Sequence, residues 1–250
     1  MGDSSVDRII KGALSIGRNF LLEPESKEVV GLYGMPVTRF KVVKSAEEAV
    51  KFATEIGYPV VVKIVSPDVL HKSDVGAVKI NLKNAEEVKS AFEEISKNVK
   101  KFKSNAKITG YIVEQLAPQG HEVIVGMAKD PQFGPALMFG LGGIFVEVLK
   151  DVSFRIAPLT EYDAREMVQE IKGYPILTGI RGQKPADVDS IVDIILRVSK
   201  LVTEHPEIEQ LDLNPVFVYS KGSKIVDARI ILSPDSKNDE RRSGSGGVKD

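Results

Sequence analysis

The chain has 250 residues, 42% of them hydrophobic and 28% charged, which is the composition of an ordinary globular protein with one or two domains. Its 34 Lys and Arg nearly balance 35 Asp and Glu, and this net charge of −1 gives no support for nucleic-acid binding or a membrane-surface role. Cysteine is absent, which excludes disulfides and thiolate metal sites, and no segment resembles a membrane span or a signal peptide, so we expect a cytoplasmic protein.

The first part of the chain is predicted to alternate helices with strands. Apolar periodicity and turn residues predict helices at 4–16, 24–34, 45–57 and 84–97 and strands at 37–43, 60–65 and 78–82. The apolar stripe of the first helix suggests a contact with a partner. Ser45 and Glu48 have the spacing of a capping box. The β-branched run at 60–65 predicts a strand buried on both faces, and the twelve residues that follow it, 66–77, form a loop long enough to be functional.

The second part of the chain is predicted to be richer in strands. Strands are expected at 108–115, 122–129, 136–139, 144–149, 154–158, 210–219 and 224–231, and helices at 160–172 and 187–205. Alternation in the first two strands indicates an antiparallel pair. With the lysine-rich connector at 97–107 as the boundary, the predicted organisation is an N-terminal helix at 1–20, α+β subdomains at 21–105 and 106–232, and a disordered tail at 233–250.

The common phosphate-binding motifs are absent from the sequence. The run Gly140-Leu-Gly142-Gly143 lacks the third glycine of a dinucleotide fingerprint, and there is no P-loop. Lys63, however, interrupts an apolar strand. Because burying an unpaired ammonium is costly, its head should meet an anion such as a polyphosphate, or reach solvent at a strand end. The sequence leaves these two alternatives equally open.

A candidate metal site lies near the end of the chain. Asp212 and Asn214 are two residues apart in a predicted strand and therefore project from one face, and hairpin pairing would bring Asp227 opposite them. Two carboxylates and an amide suit Mg²⁺, which also takes oxygens from substrate phosphates and water. The alternative, that these side chains only solvate a sheet edge, has equal weight on spacing alone.

His71 is a candidate nucleophile in the loop at 66–77. A lone histidine is more often structural than catalytic, but this one lies in a polar loop directly after the strand that carries Lys63. Neutral imidazole is a competent nucleophile near pH 7, and a phosphoryl group on it is transferable.

Three segments together carry a family resemblance. They are 57–64 (GYPVVVKI), 114–122 (EQLAPQGHE) and 130–147 (DPQFGPALMFGLGGIFVE), and the run LHKSDVG around His71 adds to them. They resemble the ATP-grasp fold and, more narrowly, the β subunits of ADP-forming acetyl-CoA synthetases (acetate–CoA ligases), relatives of succinyl-CoA synthetase. The resemblance implies an α+β fold in which two α+β subdomains clasp the nucleotide.

The resemblance also implies an activity and a partner. Such enzymes convert acyl-CoA, ADP and phosphate reversibly into acid, CoA and ATP. An α subunit binds CoA, performs the chemistry at the thioester and carries its own phosphorylated histidine. The histidine that matches His71 then takes the phosphoryl group and delivers it to ADP in the presence of Mg²⁺. We therefore expect an α2β2 assembly, with no nucleic acid and no membrane among the partners.

Residue roles follow from the same resemblance. The implied nucleotide contacts are Lys63, Glu114, Gln115, Leu116, Glu122 and Arg155. Among these, Lys63 contacts the phosphates, the backbone after Glu114 holds adenine, Glu122 contacts the ribose and Arg155 clamps a phosphate. The implied magnesium ligands are Asp212, Asn214 and Asp227, and the implied contacts of the histidine loop are Lys72, Gly142 and Gly143. Ala77 departs from the pattern, because the family favours a second glycine after Gly76.

Two other functions stay open from the sequence. A different ATP-grasp ligase would form an acyl phosphate directly on the nucleotide and would need no phosphohistidine. A non-catalytic subunit would bind nucleotide without transferring a phosphoryl group.

Overall fold

A computed structural model of the chain describes residues 2–69, 72–143, 145–180 and 184–233. The helices are Gly2–Ser15 (α1), Glu23–Leu32 (α2), Ala46–Ile56 (α3), Ala85–Phe102 (α4), Glu161–Glu170 (α5), Tyr174–Leu177 (α6) and Val188–Glu204 (α7). The strands are Phe40–Val43 (β1), Val60–Val65 (β2), Val78–Leu82 (β3), Gly110–Gln115 (β4), His121–Asp130 (β5), Gly134–Leu141 (β6), Val152–Ile156 (β7), Ile208–Val218 (β8), Ser223–Ile225 (β9) and Ala228–Leu232 (β10). Within the described part of the chain, no helix has the length and apolar character needed to cross a membrane.

The chain divides into two compact units, each built on its own sheet. The small-sheet unit comprises Leu22–Pro24 and Pro36–Gln119. The large-sheet unit comprises the described residues of Met1–Leu21, Glu25–Met35 and Gly120–Asp250. The boundary predicted near residue 105 therefore lies inside the small-sheet unit, because β4 follows it and still belongs to the small sheet.

The small-sheet unit is an antiparallel sheet in the order β1-β4-β2-β3 with α3 and α4 packed on it. Every residue of β2 is buried, as the β-branched run predicts. Ser45 caps α3 by accepting from the Glu48 N–H at 3.2 Å. The capping box is not reciprocal, however, because the Glu48 carboxylate accepts from the N–H of Lys44 rather than from that of Ser45.

The large-sheet unit has strands in the order β10-β8-β5-β6-β7, and β9 also pairs with β8. Helices α5 and α7 pack on one face of this sheet, and the apolar stripe predicted for α7 is buried there. The predicted pairing of β4 with β5 is wrong. Each of these strands already has two neighbours in its own sheet, and the segment 116–120 carries the chain from one sheet to the other.

Two other expectations, both about secondary structure, change with the structure. Residues Phe145–Leu149 form a π-helical turn instead of a strand, because a short apolar run does not distinguish the two by its periodicity. The predicted strand 224–231 is divided into β9 and β10, with Asp227 between them. Three residues of the α1 stripe, Val6, Ile10 and Ala13, are buried in the chain's own core, and the partner contact of this helix stays a prediction. Of the predicted tail, residues 234–250 lie outside the described residues.

Candidate functional site

Lys63 lies in a buried cluster of charges. Its Nζ is 2.7 Å from Glu23 Oε1 and 2.6 Å from Glu114 Oε1, and the Lys63 side chain is 8% exposed. The contact of Lys63 with a polyphosphate stays a prediction, and the anions that its ammonium meets in the structure are two carboxylates of the same chain. Their charges offset the desolvation of the ammonium.

Glu114 is held from two sides in the centre of the small sheet. It lies opposite Val61 in the register, so Glu114 and Lys63 project from the same face. Its Oε1 faces Lys63, and its Oε2 accepts a hydrogen bond from the Thr38 hydroxyl at 2.9 Å. The residue is 0% exposed. The structure thus places Glu114 as a partner of Lys63, while its predicted nucleotide contact remains a proposal.

Glu23 connects this cluster with the loop that follows β2. Its second carboxylate oxygen accepts from Lys72 Nζ. The carbonyl of Lys72 accepts from the Ala77 N–H at 2.8 Å, and the carbonyl of Ala77 accepts from the Ile64 N–H at 3.0 Å. A side-chain contact and a backbone path therefore both hold Lys72 to β2.

The start of the same loop is also fixed. Asp68 Oδ1 pairs with Lys103 Nζ at 2.5 Å, and Oδ2 accepts from the Lys107 N–H at 2.7 Å. These contacts, the Lys103 hydrogen bond first, hold the pKa of Asp68 below its ordinary value. Val69, next in the chain, is buried. His71 lies outside the described residues, and its role as nucleophile stays a prediction.

Ala77, the departure from the family pattern, has a structural role of its own. It is 0% exposed and belongs to the hydrophobic core of the small-sheet unit. The position that requires glycine is 76. Gly76 has a φ of +65°, and a Cβ added there would lie 2.8 Å from Asn98 Nδ2. The methyl group at position 77 therefore adds to the core without straining the loop.

Gln115 and Leu116 lie at the end of β4. The Gln115 N–H donates to the Arg39 carbonyl at 2.9 Å, and the Leu116 N–H donates to the Pro59 carbonyl at 3.4 Å. A contact with adenine through either N–H would have to replace one of these bonds. The short Gln115 bond makes Leu116 the easier of the two to redirect.

The three predicted metal ligands lie together in the large-sheet unit. Asp212 and Asn214 are in β8, and Asp227 directly precedes β10. The register places Leu213 opposite Ala228, which brings Asp227 level with Asn214 across the strand pair. This is the arrangement that hairpin pairing predicts.

Two hydrogen bonds fix the backbone just before Asp227. The Val226 N–H donates to the Pro215 carbonyl at 3.0 Å, and the Val226 carbonyl accepts from the Lys27 ammonium at 2.9 Å. Lys27 is 0% exposed. A buried ammonium thus holds the turn from which the Asp227 carboxylate projects.

The electrostatics at Asp212 fit a cation. Burial raises the pKa of Asp212, and the like charge of Asp227 raises it further. Arg229, which lies opposite Asp212 on β10, lowers this pKa. A divalent cation relieves this repulsion, and the two carboxylates with the Asn214 amide form an oxygen donor set suited to Mg²⁺. The described residues include no group of three His, Cys, Asp or Glu that could hold a metal ion, and the set here consists of two carboxylates and one amide.

Glu122 lies on the same face of the large sheet as Asp212. Asp212 is opposite Gly126, and Gly126 is opposite Met138, so these residues share the face away from α5 and α7. Glu122, four residues before Gly126 on β5, projects from that face too. A cavity of about 380 Å³ lies here, with Asp212, Gly126 and Met138 among its lining residues.

A second cavity, of about 250 Å³, brings Glu122 together with the two predicted glycines. Its lining includes Glu122, Gly142, Gly143 and Phe145. The Gly142 N–H donates to the Glu122 carbonyl at 2.8 Å, and a Cβ on Gly142 would lie 2.6 Å from Glu122 Cγ. The Glu122 side chain therefore requires glycine at 142, whereas at Gly143 the requirement comes from a φ of +60°.

Arg155 is not brought to these residues. Its register partner is the fully buried Leu137, on the face covered by helices. Its guanidinium pairs with Glu170 of α5 at 2.7 Å. Arg155 and Asp212 therefore lie on opposite faces of the large sheet, and the phosphate clamp expected of Arg155 stays a prediction.

Three residues of these sites, Glu23, Thr38 and Arg229, are not predicted from the sequence. The signal for Glu23 was indirect, since a lysine in a buried strand needs an anion but nothing local shows which one. Glu23 is 40 residues away in sequence. Arg229 had a stronger signal, because it follows Asp227 by two residues in a strand predicted to pair with that of Asp212.

The chain is similar to known proteins over most of its length. A family model described as ATP-grasp domain matches residues 12–232. The β subunit of acetate–CoA ligase (ADP-forming) I from Pyrococcus furiosus is 58% identical over 212 residues, which cover 85% of this chain and 91% of that protein.

Solved structures of an acetyl-coenzyme A synthetase from Ca. Korarchaeum cryptofilum are also similar. One, in complex with coenzyme A and Ca-AMPCP, is 54% identical with a TM-score of 0.87 and covers 90% of this chain and 98% of that one. Another, with coenzyme A, Mg-AMPPCP and its phosphohistidine segment pointing towards the nucleotide binding site, is 50% identical with a TM-score of 0.82 and covers 91% and 100%. The family match over most of the length, together with this identity, shows that the chain belongs to the ATP-grasp family, among the β subunits of ADP-forming acetate–CoA ligases.

Proposed function

We propose that this chain is the nucleotide-binding subunit of an ADP-forming acyl-CoA synthetase and that His71 carries a phosphoryl group to ADP. The observation that carries the proposal is the loop after β2. Its described parts are held on both sides of His71, by Asp68 and by Lys72, and Lys72 shares the Glu23 carboxylate with Lys63. A candidate nucleophile and a candidate phosphate-binding lysine are thus attached to one strand.

The nucleotide contacts are proposed as follows. Lys63 binds the phosphate oxygens through its ammonium. Because the phosphates carry several charges, they attract the ammonium more strongly than either carboxylate alone. Glu114 keeps the ammonium in place from within the sheet. Gln115 and Leu116 contact adenine through their backbone, and Glu122 contacts the ribose.

Asp212, Asn214 and Asp227 would hold Mg²⁺. When bound, the ion neutralises the charge of the phosphates during transfer. The chain's own contribution is a pair of repelling carboxylates, and the Lys27–Val226 hydrogen bond holds the backbone next to one of them, Asp227. Lys72, Gly142 and Gly143 remain the proposed contacts of the histidine loop.

The proposed transfer to ADP is a single displacement at phosphorus. A β-phosphate oxygen of ADP forms the new P–O bond while the P–N bond to the imidazole of phosphorylated His71 breaks. The ring nitrogen keeps the electron pair and takes up one proton, which restores neutral His71. The reverse step phosphorylates His71 from ATP.

The partner is proposed to be an α subunit. The Pyrococcus relative is named a β subunit, which implies a second chain. We propose that this second chain binds CoA, carries out the thioester chemistry through its own phosphorylated histidine, and assembles with the present chain as α2β2.

The test is an assay of the chain with its co-purified partner. We expect ATP to form from acetyl-CoA, ADP and phosphate only when both chains are present, with a panel of acyl-CoAs reporting the preferred acid. Nucleotide binding without ATP formation by the complex would contradict the proposal and favour a non-catalytic subunit. Formation of a free acyl phosphate with no labelled histidine would favour a direct ATP-grasp ligase.

Gly142→Ala tests the proposed position of Glu122. The added methyl group would lie 2.6 Å from Glu122 Cγ, so the carboxylate must move. We expect the Kd for ADP to rise by about tenfold, since a displaced contact costs about 1.4 kcal/mol. Calorimetric titration of the complex with ADP measures the effect.

The control for that prediction is the same change in a Glu122→Ala chain. With the Glu122 side chain gone, Gly142→Ala should add less than about twofold to the Kd. An equal effect of Gly142→Ala in both backgrounds would show that it does not act through Glu122.

A further inference from the structure

Glu23 is a buried carboxylate that has no role in the transfer proposed above. It opens α2, and its side chain is 3% exposed. Burying a carboxylate to this extent is unfavourable unless charged groups compensate it. Two ammonium groups do so here, those of Lys63 and Lys72.

Neutralising Lys63 does not by itself explain Glu23. Glu114 is already within 2.6 Å of Lys63 Nζ, is fully buried, and receives the Thr38 hydroxyl on its other oxygen. One carboxylate would balance one ammonium. What Glu23 adds is its second oxygen, which accepts from Lys72.

The contact with Lys72 bears on the backbone next to the proposed nucleophile. Lys72 directly follows His71 in sequence, and its side chain is 18% exposed. Its carbonyl closes the turn to Ala77, and Ala77 in turn bonds the residue after Lys63. The Glu23 carboxylate therefore completes a closed path of contacts from Lys63 through Glu23, Lys72 and Ala77 back to β2.

We propose that Glu23 is a positioning residue that fixes Lys72 relative to Lys63. This inference rests on the proposed function. Glu23 holds the ammonium groups of Lys63 and Lys72 on one carboxylate. It thereby sets the position of the backbone after His71 relative to Lys63, which is proposed to bind the nucleotide phosphates. Its role lies in the transfer step and not in nucleotide binding.

The Glu23→Gln variant distinguishes a role in the transfer step from a role in nucleotide binding. Glutamine has the same shape but loses the charge, so Lys72 is held less firmly, while Lys63 keeps Glu114. Removing a negative charge beside Lys63 does not weaken its attraction for phosphate. We expect the kcat for ATP formation to fall by about 10- to 100-fold, as for a displaced reacting group, with the Kd for Mg-ADP within about twofold of wild type or lower.

The coupling with Lys72 gives the sharper test. Lys72→Gln should lower kcat by a similar factor, and the double variant should be no slower than the slower single variant, because both changes break one contact. Glu25→Gln is the matched control. It neutralises another paired glutamate of the same helix, bonded to Arg18, and should leave kcat unchanged.

All variants are assayed as the complex with the partner subunit. A wild-type complex that forms no ATP would defeat the proposed function itself. If the wild type is active, the inference fails on any of three results: an unchanged kcat in Glu23→Gln, multiplicative effects of Glu23→Gln and Lys72→Gln, or a loss of Mg-ADP affinity that matches the loss of kcat. A fall in kcat alone that is shared with Lys72→Gln supports it.

Discussion

A His71→Asn complex is expected to bind Mg-ADP as tightly as wild type and to form no measurable ATP from acyl-CoA, ADP and phosphate. Asparagine keeps a polar side chain but has no ring nitrogen to accept a phosphoryl group. Loss of a covalent carrier removes the route itself, so the rate should fall by more than about 1,000-fold. A coupled assay of ATP formation and a calorimetric titration with Mg-ADP measure the two quantities.

His205→Asn is the matched control for this substitution. His205 caps the C-terminal end of α7, and its Nε2 lies 2.9 Å from the Tyr33 hydroxyl. We expect a lower Tm, because this buried ring loses its contacts, and an unchanged kcat for the folded complex. More than about a tenth of wild-type turnover in His71→Asn would contradict the relay through His71.

Asp212→Asn is expected to have the second largest effect, a loss of Mg-nucleotide affinity of about 10- to 100-fold. The substitution removes one of two carboxylates from the proposed metal site while keeping its shape. The loss should appear with Mg-ADP and be much smaller with ADP in the presence of a chelator. Titration of the complex under both conditions measures the difference, and equal affinity for Mg-ADP in the variant and wild type would contradict the metal assignment.

The same substitution should stabilise the chain without ligand. Burial and the charge of Asp227 raise the pKa of Asp212 in the folded state, so folding disfavours its ionised form. Stability therefore falls as the pH rises from the unfolded pKa through the raised folded one, and the penalty persists at pH 7. Asp212→Asn removes it. We expect a higher Tm for the variant at pH 7 without Mg²⁺ and a smaller difference below pH 4.

Local periodicity was sufficient to predict several elements that form the site. The β-branched run around Lys63 predicted a strand buried on both faces, and spacing by two placed Asp212 and Asn214 on one face of a strand. The same rule located Asp227, because a hairpin brings neighbouring strands into register. These features depend on residues close in sequence, where side-chain alternation is informative.

Contacts between segments that are distant in sequence could not be predicted from local patterns. That Lys63 needs an anion follows from its burial, but the sequence does not show which carboxylate supplies it, because Glu23 is 40 residues away. For the same reason, alternation revealed β4 and β5 as strands without showing that they belong to different sheets. The register that puts Arg155 opposite Leu137 is likewise not visible in one strand alone.

Mapping the phosphoryl group after reaction with radiolabelled ATP tests the central claim most directly. The complex is incubated with Mg²⁺ and [γ-³²P]ATP, quenched in alkali, digested and analysed by mass spectrometry, and a chase with ADP follows the loss of label. We expect one alkali-stable, acid-labile phosphate on His71, discharged to ADP at least as fast as the enzyme turns over. A phosphate on another residue of this chain, or ATP formation faster than the discharge of labelled His71, would contradict the account.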